Sequence, residues 1–192
     1  MEAELIRRSR EGDLDAFNRL VETYQGQVFS LAYRMLGTRA GAEDAAQEAF
    51  IAAFRNIKSF RGEHFRAWLL RIATNACYDQ LRAAKRHAGS SLDAMLDNTA
   101  WEPASTQRSP EDQAISAELG REIQRAIATL PPDQRAVLLL ADVEGLSYEE
   151  VAEATSANVG TVKSRLARAR ARVREHFSSK QELLPPSLRL AK

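Results

Sequence analysis

Residues 145–177, GLSYEEVAEATSANVGTVKSRLARARARVREHF, read as two helices on either side of a tight turn. Ser147 and Glu150 have the spacing of a capping box, in which each side chain satisfies an amide at the start of a helix. Val151 and Ala152 give that helix an apolar face. The Ser-Ala-Asn turn then places Asn158 where its side chain caps the next helix. A first helix of about two turns followed by a tight turn and a longer helix is the pattern of a helix-turn-helix. In the second helix Val162, Leu166, Ala169 and Val173 step by four, three and four and face inward. Ser164, Ala167, Arg168 and Ala171 fall opposite. Lys163 and Arg174 lie on one flank, Arg165 and Arg172 on the other. Between Thr161 and Arg174 six side chains are basic (Lys163, Arg165, Arg168, Arg170, Arg172, Arg174) and none is acidic. Like charges three or four positions apart repel on a helix. Crowding them this way therefore points to an anionic partner rather than to an ordinary solvated face. Arginine and lysine reach guanine O6/N7 or phosphates, and alanine leaves room for a thymine methyl.

Outward from this motif the chain stays helical. Ile115, Leu119, Ile123, Ile127 and Leu130 form one stripe of a helix beginning near Ala114. Pro131 and Pro132 end it and start the next, since proline fits a first turn but not a helix interior. Val137, Leu138, Leu139, Leu140 and Val143 predict a short buried helix closing at Gly145. Residues 88–113 lack periodicity, are rich in turn formers and carry five acids against one base, a net of −4. They read as a flexible acidic linker. Trp101 within it wants a surface, either a flanking domain or a partner.

Residues 1–87 hold three further stripes. Leu14, Phe17, Leu20, Val21, Tyr24, Val28, Leu31 and Met35 make one. Ala46, Ala49, Phe50, Ala53, Phe54 and Ile57 make the second. Phe65, Trp68, Leu69, Ile72, Ala76 and Leu81 make the third, which runs into the basic end Arg82, Lys85, Arg86, His87. The loop SFRGEHF is centred on Gly62. The fold class is therefore all-α. It comprises two compact helical modules, 1–87 and 114–177, each with its own core, joined by the 88–113 linker and followed by a mobile tail, 178–192.

The 192 residues are 44% hydrophobic and 28% charged, the balance of a soluble folded protein. A formal net charge of +1 excludes a uniformly basic nucleic-acid binder but not a basic patch. The single Cys77 excludes an intramolecular disulfide and a multi-cysteine metal site. On its apolar-rich helix it reads as a buried structural thiol. His64, His87 and His176 have no ligand-like spacing. No apolar run approaches the roughly 18 residues that would span a bilayer, and the charged start MEAELIRRSREGD is not a signal peptide. No phosphate loop or metal motif appears. These features predict a cytoplasmic protein without metal, cofactor or catalytic residues, hence not an enzyme.

In EDAAQEAFIAAFRNIKSFRGE, FRAWLLRIATNACYDQLR, LPPDQRAVLLLADVEGLSYEEVAEAT and VGTVKSRLARARARV, taken in this order and spacing, the chain resembles an extracytoplasmic-function (ECF) sigma factor over about residues 10–176. The resemblance implies a σ2 domain that reads and melts the −10 promoter element and a σ4 domain that reads the −35 element. Both would hold core RNA polymerase, through its β′ clamp helices and β flap. It implies that Asp44, Gln47 and Glu48 grip the clamp helices; physically they form a polar, acidic face opposite Ala46, Phe50 and Phe54, suited to a basic partner. It implies that Phe60, Arg61, Gly62, Glu63, Ile72 and Asn75 capture an unstacked −10 base. The chemistry agrees: Phe60 and Ile72 supply an apolar wall, Asn75 an amide, and Arg61, Arg82, Lys85 and Arg86 charge for the backbone. Trp68 lies in the Phe65–Leu69–Ile72 stripe and reads as core packing, with an exposed wedge against the melted strand as the other reading. Many relatives have one more residue between the Phe-Arg-Gly triplet and the tryptophan, so this loop is expected to be shaped differently.

In the second module the resemblance implies base reading by Lys163, Ser164, Ala167 and Arg168, with Thr161 and Arg165 on phosphates or orienting the others. It implies that the acidic linker threads toward the polymerase cleft, and it implies an anti-sigma factor as a partner. Two other classes stay open on the sequence. A polymerase-independent helix-turn-helix regulator would need only residues 114–176. A sigma-like decoy that sequesters an anti-sigma factor would have no use for the basic helix.

Overall fold

The computed structural model describes residues 1–62, 64–87 and 110–178; Glu63, most of the linker with Trp101, and the tail lie outside the described residues. Every regular element among the described residues is helical. Helix α1 (Glu2–Arg10) lies against α2 (Leu14–Leu36), where the Tyr24 hydroxyl donates to Glu2 Oε1 at 2.9 Å. Asp13 caps α2 by accepting the Ala16 amide at 3.0 Å, and Gly37 ends it at φ 79°, a left-handed conformation that glycine adopts without strain. The predicted stripe holds for Phe17, Leu20, Val28, Leu31 and Met35, which are buried; Leu14, on the first turn, is exposed.

Thr38 caps α3 (Arg39–Asn56). Of the stripe read from the sequence, Ala49, Ala53 and Ile57 are buried, but Ala42 and Ala45 complete the buried face in place of Ala46, Phe50 and Phe54. Alanines bring the backbone of α3 close to α2 and α4 (Phe65–His87), and the rings are displaced to the edges: Phe54 is partly exposed, against Phe17 at 5.0 Å between centroids. A 3-10 turn, Ile57–Ser59, leads into the loop before α4. Phe65, Leu69, Leu70, Ala73 and Cys77 form the buried face of α4, with Trp68, Ile72, Ala76 and Leu81 packed at its margin.

The second half starts earlier than expected, with α5 spanning Pro110–Ala128 instead of beginning near Ala114. Proline at the first helical position accounts for the earlier start. Of the expected stripe Ile127 and Leu130 are buried, whereas Ile123 is 41% exposed and its neighbour Glu122 is buried instead. Helix α6 (Pro132–Leu138) passes into a π-helical turn, Leu139–Val143, where a single buried helix was predicted. The wider turn swings Val143 outward to 48% exposure while Leu139 and Leu140 stay buried. Helices α7 (Tyr148–Ala154) and α8 (Val159–Ser178) complete the fold.

The two halves do not stand apart with separate cores: one buried cluster runs through both. Helix α4 meets α7, and the C-terminal part of α2 meets α5 and α6. Periodicity shows which face of a helix is apolar, not which neighbour covers it, so this closure was not legible in advance. Much of the joint is polar. Arg135 donates to the Met35 carbonyl at the end of α2, and also to Ala128 O at 2.7 Å and Leu130 O at 3.1 Å. The buried Glu144 carboxylate accepts from Gln27 Nε2 at 2.6 Å and pairs with Arg66 at 3.2 Å; Arg66 also donates to the Glu144 carbonyl. Arg71 of α4 pairs with Glu153 of α7.

Candidate nucleic-acid interface

The helix-turn-helix is built as its residues require. Ser147 Oγ accepts the Glu150 amide at 3.2 Å and Glu150 Oε2 accepts the Ser147 amide at 2.8 Å, the reciprocal capping box. Ser156 turns the chain at φ 51°, and Asn158 Oδ1 caps α8 by accepting the Thr161 amide at 2.7 Å. Val162, Leu166 and Ala169 are buried and anchor α8. Lys163, Ser164, Ala167 and Arg168 are all exposed on one continuous face. Lys163 Nζ stands 5.9 Å from the centre of the Tyr148 ring, and Arg168 Nε donates to the Ser164 carbonyl at 3.1 Å.

The charge of α8 is less uncompensated than the sequence indicates. Arg165 pairs with Asp133 of α6 at 2.9 Å, and Arg170 with Asp142 of the π turn at 2.6 Å. These acids lie 32 and 28 positions away in the chain, so no local reading of the helix reveals them. They draw two arginines to the flanks and leave Lys163, Arg168, Arg172 and Arg174 exposed. Thr161 and Arg165, expected on phosphates, are half-buried. Arg165 and Asp133 sit near Tyr78 of α4, whose hydroxyl burial pushes up to about 12, Arg165 opposing and Asp133 adding to the shift.

In the first half, Phe60, Phe65 and Trp68 form a ring cluster with centroids 5.1–5.6 Å apart, backed by Tyr24. Beside it lies a cavity of about 320 Å³ lined by Ser59, Phe60, Arg61, Gly62, His64 and Ala67, together with Trp68 and Arg71. Glu150 and Glu153 of α7 complete its wall. Phe60 is buried and serves as wall from within the core; Arg61, Gly62 and His64 are exposed. Ile72 and Asn75 fall one and two turns beyond Trp68 on the same side of α4, outside the cavity lining; Ile72 is half-buried and Asn75 exposed. Arg82 pairs with Asp79, and Lys85 and Arg86 are exposed near the end of the helix. Arg71 escaped sequence reasoning because a lone arginine on a helix face carries no motif; only the fold places it in the cavity.

Asp44, Gln47 and Glu48 are exposed on α3, opposite the buried alanines. Ile51, 44% exposed, extends the same face by one turn. Cys77 is buried and desolvation pushes its thiol up to about 12, which keeps it protonated and inert. Among the described residues no group of three or more His, Cys, Asp or Glu is placed to hold a metal ion, and no helix is long and apolar enough to cross a membrane.

Residues 20–87 match the family described as Sigma-70 region 2, and residues 120–173 that described as Sigma-70, region 4. The chain is 40% identical over 178 residues to the ECF RNA polymerase sigma factor SigW of Bacillus subtilis, covering 90% of this chain and 94% of that protein. It is 40% identical over 170 residues to the ECF RNA polymerase sigma-E factor of Escherichia coli K12, covering 86% and 88%. Among solved structures it is similar to the sigma factor RpoE bound to the anti-sigma factor NepR from Bartonella quintana, with a TM-score of 0.69, 27% identity and coverage of 85% of this chain and 98% of that one.

Proposed function

The chain belongs to the ECF RNA polymerase sigma factors, and from that premise we propose how its residues divide the work. The half formed by 1–87 holds core polymerase and the −10 element; the half formed by 114–177 reads the −35 element. On α8, Lys163, Ser164, Ala167 and Arg168 face the bases of the major groove. Thr161 and Arg165 contact phosphate or orient the others, Arg165 after leaving Asp133. In the first half the cavity beside Phe60 and Trp68 takes an unstacked base, with Arg61 and Gly62 at its mouth. Ile72 and Asn75 line the path beyond, and Arg82, Lys85 and Arg86 follow the phosphates.

Asp44, Gln47 and Glu48 meet a basic surface of the polymerase, the β′ clamp helices, and Ile51 adds an apolar contact. The β flap is the site for the second half. An anti-sigma factor covers these faces when the protein is idle, a reading supported by the bound state of the similar RpoE. The protein acts in the cytoplasm and catalyses nothing by itself.

The observation that carries this reading is the presence, in one chain, of a capped helix-turn-helix with an exposed Lys163–Arg168 face and an aromatic-walled cavity flanked by cations. A helix-turn-helix regulator would leave the second feature idle, and a decoy would leave the first. The test is run-off transcription by core polymerase on genomic fragments. Added chain is expected to direct starts from a small set of promoters sharing one spacing of upstream and downstream elements. Starts no different from those of core polymerase alone would contradict it.

A further inference from the structure

The cavity proposed to take a −10 base is walled on one side by Glu150 and Glu153, which belong to the other half of the molecule. Glu153 pairs with Arg71, a cavity residue of α4 that lies three positions after Trp68. Two positions before Trp68 and outside the cavity lining, Arg66 is held by the buried Glu144 and by that residue's carbonyl. The cavity residue Arg71 is thus occupied by an acid of the second half, and Arg66 adds a second contact to that half. A melted strand in the cavity would present phosphates to the Arg71 guanidinium, and carboxylate and phosphate oxygens make the same charge-assisted, often bidentate hydrogen bonds to arginine. The Arg71 side chain is 35% exposed and that of Glu153 70%, so this pair is near solvent and exchangeable.

We propose that Arg71 is a phosphate-binding residue for the melted strand and that Glu153 occupies its place while the two halves are closed, so that single-stranded DNA and the helix-turn-helix half compete for one cation. This rests on the base-capture reading of the cavity and adds its regulation. The free chain is closed with the cavity walled by acids. Separation of the halves, as when each engages polymerase, removes Glu150 and Glu153, turns the cavity electropositive and frees Arg71. The buried Glu144 contact holds the joint, and the exposed Arg71–Glu153 pair supplies the competition. By linkage, any ligand that binds only the open form favours the other ligands of that form.

The test compares Glu153→Gln and Arg71→Gln in the full chain without polymerase. The probe is a fluorescently labelled single strand carrying the −10 element of a promoter from which the holoenzyme starts. Both substitutions break the same exposed pair, so a contact that only holds the halves together predicts equal gains in binding. Competition predicts asymmetry. Glu153→Gln binds the strand about three- to tenfold tighter at low salt, in line with the small energy of an exposed pair plus a lost repulsion. Arg71→Gln shows no gain, and the double variant resembles Arg71→Gln. Equal tightening by both single variants overturns the role of Arg71, and no change with Glu153→Gln overturns the competition. Arg61→Ala in the holoenzyme is the separate arm. If it leaves promoter starts unaltered, the base-capture reading itself falls and takes this proposal with it; if it weakens them, a negative result at Glu153 counts against the competition alone.

Discussion

Lys163 and Arg168 stand on the exposed face of α8 with Ser164 and Ala167, whereas Arg165 and Arg170 are drawn aside by Asp133 and Asp142. The outward face was legible because the inward residues repeat at helical spacing. The two paired arginines were not, since their acids come from distant turns. At the same scale Cys77 illustrates how burial sets chemistry. Its thiol pKa is raised from 9.0 to about 12, chiefly by desolvation. The folded state therefore favours the protonated thiol. The contribution is fully present below about pH 9 and is lost as pH rises through about 12. Within that window one such group steepens the fall of stability by about 1.4 kcal/mol per pH unit. Cys77→Ala is expected to lower overall stability and to flatten the alkaline slope by about one proton, measured by denaturant unfolding at several pH values from 9 to 12. An unchanged slope would mean that the thiol is not desolvated in the fold.

Among the elements, those with strong local signals are legible in the sequence. The Ser147–Glu150 box, the Asn158 cap and the long α2 stripe rest on contacts within four residues or on a repeat carried through several turns. Helix α3 is legible in part: Ala49, Ala53 and Ile57 of its stripe are buried, while Ala42 and Ala45 carry too weak an apolar signal to mark the rest of the core face and Phe50 and Phe54 sit at its edges. The π turn after α6 had no local marker at all. The capping box gives an element-scale prediction. Ser147→Ala removes the acceptor for the Glu150 amide at an exposed helix start and is expected to cost about 1 kcal/mol of unfolding free energy, checked by denaturant titration. Ser147→Asn, which keeps an acceptor, is expected to lose only a small part of that. Equal losses from both would show that the cap is not what stabilises α7.

For the whole molecule, helix content and the division into two halves followed from periodicity and from the composition of 88–113. Their closure on one another did not, because Glu144–Arg66, Glu153–Arg71 and Arg135–Met35 each join residues far apart in the chain. Closure also bears on function. Elements about 25 base pairs apart lie roughly 85 Å apart along B-DNA at ~3.4 Å per pair, and halves pressed together cannot touch both. The covalent length between His87 and Pro110 permits parting: fully extended at ~3.3–3.6 Å per residue it reaches roughly 75 Å.

The central claim is that the two halves read separate stretches of one promoter. Its most direct test is start-site mapping by the holoenzyme on a promoter library randomised in both elements. The comparison is between the native chain, a Lys163→Ala/Arg168→Ala variant and an Arg61→Ala/Asn75→Ala variant. The account predicts that the first variant relaxes base preference only in the upstream element, by about 1–3 kcal/mol per lost base contact, and the second only in the downstream element. Relaxation of both elements by either variant, or of the downstream element by the α8 variant, would contradict it.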